Sequence, residues 1–253
     1  MKILLSPAKS LNLEAKYPDV EYSKPDFLEK TEKVFNKVKK LNPKKLGQLM
    51  SISQNLAELN YERYQAFDME HSLDNSRSAI YTFNGDVYDG LKAYDLPIEN
   101  IQRLQNSLRI LSGLYGMLRP LDLMQPYRLE MGTVIKIYRA NNLYEFWKKE
   151  LTKALNKELE NGELVINLAS KEYSKAIDLK KIKGKVIEPV FKDYSNGKLK
   201  VISFFAKKAR GSMTNYLSNF ESLDYVDILK FNGDDYAFSK TETKSEFQPV
   251  FIR

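Results

Sequence analysis

Apolar and polar residues alternate along this chain in two rhythms, and the switches between them mark out the elements. Lys2–Leu5 is a short apolar run stopped by Pro7, which reads as a strand. A polar, Pro-containing link follows to Pro25. From Asp26 to Lys40 apolar residues recur at Phe27, Leu28, Val34, Phe35 and Val38, and Leu41 continues the stripe. This is helical spacing with a basic opposite face. Asn42-Pro43 opens a second helix, Asn as its cap and Pro in its first position, with Leu46, Leu49 and Met50 apolar. A third helix is expected over about Ser53–Phe67, with Leu56, Leu59 and Tyr64 inward. Ala79–Phe83 reads as a strand or a buried helical turn, ending at Asn84-Gly85-Asp86. Pro97–Leu108 is a helix. Arg109–Ser112 is a strand that feeds a Gly- and Pro-rich loop reaching Thr133.

The second half repeats the mixture. Asn142–Glu160 is a long amphipathic helix closed by Asn161-Gly162. Glu163–Leu168 is a strand and Ser170–Ile177 a short helix. Lys185–Tyr194 and Lys198–Phe205 are β-rich runs joined at Asn196-Gly197, a strong hairpin signal. Lys207–Phe220 is a helix. Tyr236–Ser239 and Phe247–Ile252 are strands. The pattern predicts a mixed α/β (α+β) fold over residues 1–253, a single compact domain with a mixed sheet and flanking helices. Phe67–Asn75 is its one weak internal boundary.

Composition narrows the chemistry. The 253 residues are 43% hydrophobic and 29% charged, which suits a globular domain. There is no Cys, which excludes disulfides, thiolate metal sites and a Cys nucleophile. A single His, His71, leaves one candidate for a Ser-His-Asp triad and excludes multi-His metal sites. No cofactor or metal is expected. No apolar run approaches a membrane span of about 18 residues. The N-terminal apolar run is too short for a signal peptide, so a cytoplasmic location is expected.

The net charge of +7 concerns partners rather than fold. The basic residues concentrate in Lys24–Lys45 and Lys171–Arg210, whereas Glu221–Glu246 is acidic. Such a division suits either a polyanion-binding face or a solvated lysine surface.

Two stretches carry candidate chemistry. In Lys45–Ala57, two short helices flank a tight Ser51-Ile52-Ser53 turn. This resembles the helix-hairpin-helix DNA-binding motif, over about residues 43–67. Ile52 is the apolar plug, and Ala57 the small residue that lets the helices approach. In that motif, backbone N–H groups opening the second helix bind one phosphate. Lys44 and Lys45, with Lys39 and Lys40, supply counter-charge. Ser51 and Ser53 stand where the motif has glycine. An ordinary helical hairpin is the plain alternative.

The second stretch, Leu111–Thr133, is rich in Gly and Pro and carries Arg119, Asp122, Arg128 and Glu130. A long loop after a strand suits a ligand cleft. Three other loops can join it: Lys9 after the first strand, Asp86 at a helix start, and Lys207, Lys208 and Arg210 at another helix start. Neither a GxxxxGK(S/T) nor a GxGxxG signature is present, which disfavours ATP-driven or dinucleotide chemistry.

Ser6–Lys9, Phe83–Tyr88 with Gly90-Leu91, Leu111–Gly116, Leu118–Asp122, Pro126–Thr133, Asn167–Ser170 with Glu172-Tyr173, and Lys208–Gly211 together resemble the YaaA family of peroxide-stress proteins. The resemblance runs from Ser6 to about Phe231. It implies a cytoplasmic bacterial protein that limits free iron and Fenton damage under peroxide. It also implies an α/β fold with a basic cleft and a hairpin that binds double-stranded or bent DNA. Any iron ligands would be carboxylates such as Asp86, Asp122, Glu130 or Glu172, which suit harder ions, so the iron link reads as indirect.

Two functions are therefore expected. One is sequence-independent DNA binding through Lys44, Lys45, Ser51, Ile52, Ser53, Lys207, Lys208 and Arg210. The other is an enzyme acting on a nucleic acid base or nucleotide in the cleft. There Arg119 and Arg128 hold phosphate or base, Asp122 or Glu130 does acid–base work, and Lys9 is nucleophile or electrostatic partner, beside Asp86. RNA binding is a third reading, since 16 Tyr offer stacking faces.

Overall fold

Lys2–Leu5 has no polar face, so it must be covered on both sides, and this places it at the centre of a parallel sheet. The computed structural model, which describes residues 1–253, orders that sheet Gly116–Leu118, Leu108–Ser112, Lys2–Leu5, Leu164–Asn167, Lys185–Ile187. The last four strands run parallel, with Ile3 opposite Leu108 and Ile166. Gly116–Leu118 turns back antiparallel on Leu108–Ser112. Trp147, on the helix Leu143–Glu158, is fully buried and donates its indole N–H to the Gly113 carbonyl at 3.0 Å.

A second sheet orders Lys198–Lys200, Val190–Ser195, Val250–Ile252 and Ala237–Phe238. Asn196 and Gly197 make the expected hairpin, both at positive φ (54° and 71°). Lys185–Tyr194 is not one strand, however. Pro189 has no N–H to continue a ladder, and the run divides there between the two sheets. One apolar core of 56 buried residues extends through both sheets and the helices. Phe67 and His71 are buried in or beside it, so the expected boundary at Phe67–Asn75 is absent and the chain is a single mixed α/β domain. No helix is long and apolar enough to cross a membrane.

Three consecutive helices, Leu28–Val38, Pro43–Met50 and Gln54–Ala66, form as the spacing predicts. Asn42 caps the second by accepting from the Lys45 N–H at 2.9 Å. The third is rotated from expectation: Ala57, Asn60 and Tyr64 face inward, while Leu56 and Leu59 are exposed. Ala57 lies against Gly47 of the second helix, and this small-residue crossing sets the rotation.

The largest departure is at Phe204-Phe205. These were expected to end a strand, but they lie exposed in the first turns of a helix, Ser203–Leu217. The local β preference is overridden by packing on the helix Asp86–Leu91. A methyl group at Gly211 would overlap the Val87 carbonyl, and one at Gly90 would overlap the Lys208 carbonyl. The two helices therefore touch backbone to backbone. Lys207, Lys208 and Arg210 sit within the helix rather than at its N-terminus.

Candidate functional site

The strand order creates a crevice. From the central Lys2–Leu5, the chain next adds Leu108–Ser112 on one side and Leu164–Asn167 on the other. Loops leaving the carboxyl ends of Lys2–Leu5 and Leu164–Asn167 diverge there, which is where open α/β sheets bind ligands. The Ser170 N–H donates to Ser6 Oγ at 2.9 Å, and Tyr88 Oη donates to the Ser6 carbonyl at 3.2 Å, fixing the floor. Above it opens a cavity of about 440 Å³ whose charged lining is Lys9, Asp86, Glu172, Lys207 and Arg210.

Glu130 closes one side. The Pro126–Gly132 segment crosses directly over Gly113, where any side chain would strike the Leu129 carbonyl. Tyr64, from the third helix, donates to the Arg128 carbonyl at 2.6 Å, and Tyr127 Oη lies 2.6 Å from Ser112 Oγ. With the backbone so held, Arg128 donates to Glu130 Oε1 from Nη2 at 2.9 Å and from Nε at 3.2 Å. Lys9 Nζ reaches the same oxygen at 3.3 Å. Glu130 Oε2 is buried and has no partner. Burial pushes the Tyr64, Tyr127 and Tyr173 hydroxyls up, so they remain neutral hydrogen-bonding groups.

The opposite wall comes from the glycine-packed helices. Lys207 pairs with Asp86 at 3.2 Å. The Arg210 carbonyl accepts from Thr214 Oγ1 at 2.9 Å, but its guanidinium makes no hydrogen bond or ion pair within the protein. Burial lowers its pKa, and the charge of Glu188 partly offsets this. Lys208 points elsewhere, to Asp234 at 3.2 Å.

Arg119 and Asp122 do not line this cavity, contrary to their expected roles in the cleft. Asp122 is buried and accepts from Ser23 Oγ at 2.6 Å, the Arg119 N–H at 2.8 Å and Arg119 Nε at 3.1 Å. Burial raises its pKa against these bonds. Arg119 also donates to the Lys24 carbonyl at 2.9 Å and pairs with Asp26 at 3.2 Å. The pair straps the N-terminal link to the sheet. His71 is likewise structural: its ring nitrogens lie 3.1 Å from the Met69 carbonyl and 2.9 Å from Tyr115 Oη, and no triad forms. No group of three carboxylates or imidazoles converges to hold a metal ion.

Sequence reasoning named Glu172 among the candidate carboxylates but gave Ser6 and Tyr173 no role in the cleft. Glu172 Oε1 accepts from the Gly132 N–H at 3.2 Å and binds the two loops together. The Asn167–Tyr173 stretch at a strand end carried the signal. Nothing in the sequence indicated that Tyr64 reaches Arg128.

The hairpin is a second feature. Ser51 takes the left-handed conformation (φ 52°, ψ 51°) that the motif assigns to glycine. Ser53 Oγ accepts from the Leu56 N–H at 3.4 Å, a cap on the third helix. Lys44 and Lys45 are exposed, and neither makes an ion pair. Beside them a shallow groove of about 510 Å³ is lined by Lys37, Lys45 and Lys136 with no acidic residue.

A family model described as peroxide stress protein YaaA matches residues 1–242. A UPF0246 protein of Flavobacterium johnsoniae is 53% identical over the full length of both chains. One of Flavobacterium psychrophilum is 52% identical over 96% of this chain and 97% of its own. A UPF0246 protein of a Marinomonas species is 47% identical over all of this chain and 97% of its own. With a matching model spanning nearly every element described above, this chain belongs to the YaaA family of peroxide stress proteins.

Proposed function

We propose that this protein acts in peroxide-stress defence in the cytoplasm by binding double-stranded or bent DNA through its phosphates, without reading sequence. The observation that carries this is the hairpin surface. The turn Ser51–Ser53 opens the helix Gln54–Ala66, and in the first turn of the preceding helix, Pro43–Met50, Lys44 and Lys45 stand exposed without an ion-pair partner. A helix N-terminus suits a backbone phosphate, unpaired lysines on the preceding helix add counter-charge along the same strand, and neither distinguishes bases. Bound DNA is shielded from Fenton chemistry. Any effect on free iron is indirect, since the chain has no Cys and its one His is committed in the core.

Fluorescence anisotropy across a salt series tests the reading. Neutralising roughly 3–5 phosphates gives a log K against log salt slope of about −3 to −4.5, equal for unrelated duplex sequences. A flat slope, or a marked preference for one sequence, overturns it.

A second reading assigns the cleft to chemistry on a base or nucleotide. It is supported by the meeting of Lys9, Arg128 and Glu130 at one carboxylate oxygen.

A further inference from the structure

The cleft contains two groups that the protein leaves unsatisfied, and they are of opposite kind. Arg210 faces the cavity as a cation with donors and no acceptor. Its guanidinium is the planar fork that matches phosphate and carboxylate geometry. On the other side, Glu130 Oε2 is an acceptor with no donor, although its sister oxygen receives three N–H groups. A buried polar atom without a partner is costly. The two are not remote: Pro7, Ala8, Lys9 and Tyr173 border both the main cavity and the small recess at Glu130. That recess has a volume of about 10 Å³, room for one water-sized group.

The remaining charges refine the picture. Lys9 and Lys207 are held by Glu130 and Asp86, but both side chains are more than half exposed, so their heads can turn towards a bound anion. Asp86 and Glu172 line the same space and disfavour a ligand that is anionic along its whole length. The cavity volume, about 440 Å³, falls within the range of small-molecule sites.

We infer that the cleft binds a phosphate monoester that also carries a hydrogen-bond donor, the phosphate on Arg210 with Lys9 and Lys207 beside it and the donor directed at Glu130 Oε2. A mononucleotide or a sugar phosphate meets this description, and so does the phosphorylated end of a DNA strand. The inference names the ligand class for the second reading of the cleft and does not depend on the hairpin.

Calorimetric titration of the full chain tests it with adenosine 5′-monophosphate, ribose 5-phosphate, adenosine and acetate. The first two bind and raise the melting temperature; adenosine and acetate do neither. Arg210→Gln, shown to be folded by its melting curve, weakens phosphate-ligand binding roughly 10–100-fold, the loss of a charge-assisted hydrogen bond. If that variant fails to fold, Lys207→Gln replaces it, since its head is half exposed, and a several-fold weakening is expected. A 5′-phosphorylated oligonucleotide is compared with its 5′-hydroxyl form. Binding of the phosphorylated oligonucleotide alone identifies a DNA end as the source, and binding of adenosine 5′-monophosphate identifies a free small molecule. Absence of binding by all phosphate probes at millimolar concentration overturns the inference. So does equal binding of acetate or adenosine, or binding indifferent to both variants. Duplex affinity is measured alongside on the wild-type chain. Phosphate-ligand binding without duplex binding leaves the cleft standing and removes the hairpin reading, and the reverse result does the opposite.

Discussion

The hairpin and the cleft are both basic, but they treat their charges differently. At the hairpin, Lys44 and Lys45 stand exposed with no carboxylate partner. In the cleft, Lys9, Lys207 and Arg128 are matched to Glu130 and Asp86, and only Arg210 is left over. An uncompensated exposed patch favours a long polyanion and is screened by salt. A concave site with paired charges favours a small ligand of mixed character. The backbone follows the same division. Between the hairpin helices a methyl added at Gly47 would meet Ala57 only at ordinary contact distance, whereas the cleft wall is built from helices in direct backbone contact.

Four substitutions probe this contrast. Gly211→Ala forces a methyl into the Val87 carbonyl and should cost about 3 kcal/mol, measured as a lower urea midpoint at unchanged m. A loss below about 0.5 kcal/mol would show that the cleft wall is no tighter than the hairpin. Arg128→Ala leaves Glu130 with Lys9 alone in a largely buried setting. The expected cost is about 2 kcal/mol, with duplex affinity unchanged within roughly twofold. Equal loss of duplex binding would merge the two regions into one DNA surface. Lys44→Glu combined with Lys45→Glu should weaken duplex binding roughly tenfold and reduce the salt slope by about 2, with stability within about 0.5 kcal/mol of wild type. An unchanged slope would place the phosphate contacts elsewhere. Gly47→Ala should be accepted, because the new methyl lies 3.5 Å from Ala57 Cβ and the Ile52 carbonyl. Removing a helix-interior glycine should add about 0.5 kcal/mol, read as a higher urea midpoint; a clear loss would mean the hairpin is packed as closely as the cleft.

What the sequence disclosed follows the same line between local and distant causes. Asn42-Pro43 and Asn196-Gly197 act on neighbouring backbone, and each forms the cap or turn expected of it. Phe204 and Phe205 were misassigned because their helix is imposed by Gly90, more than a hundred positions earlier in the chain. Leu56 and Leu59 were placed inward on periodicity, whereas Ala57 against Gly47 sets the true face. Arg119 and Asp122 looked like cleft chemistry because they share a loop with Arg128 and Glu130. Their partners Ser23 and Asp26 lie nearly a hundred residues away, and no local pattern links them. Arg210 groups by sequence with the candidate DNA-binding lysines, since its lack of an ion-pair partner depends on the folded wall.

The backbone contact of Gly90 with Lys208 and of Gly211 with Val87 also sets an order of assembly. The hairpin joins residues within Asn42–Ala66, so the contacts between its two helices are local in sequence. The cleft needs the loop after the first strand, Glu130 from mid-chain and Arg210 from the last fifth of the sequence. Its contacts span long sequence separations, so it is completed late. A molecule truncated ahead of Ser203 therefore retains the hairpin sequence but has no second cleft wall.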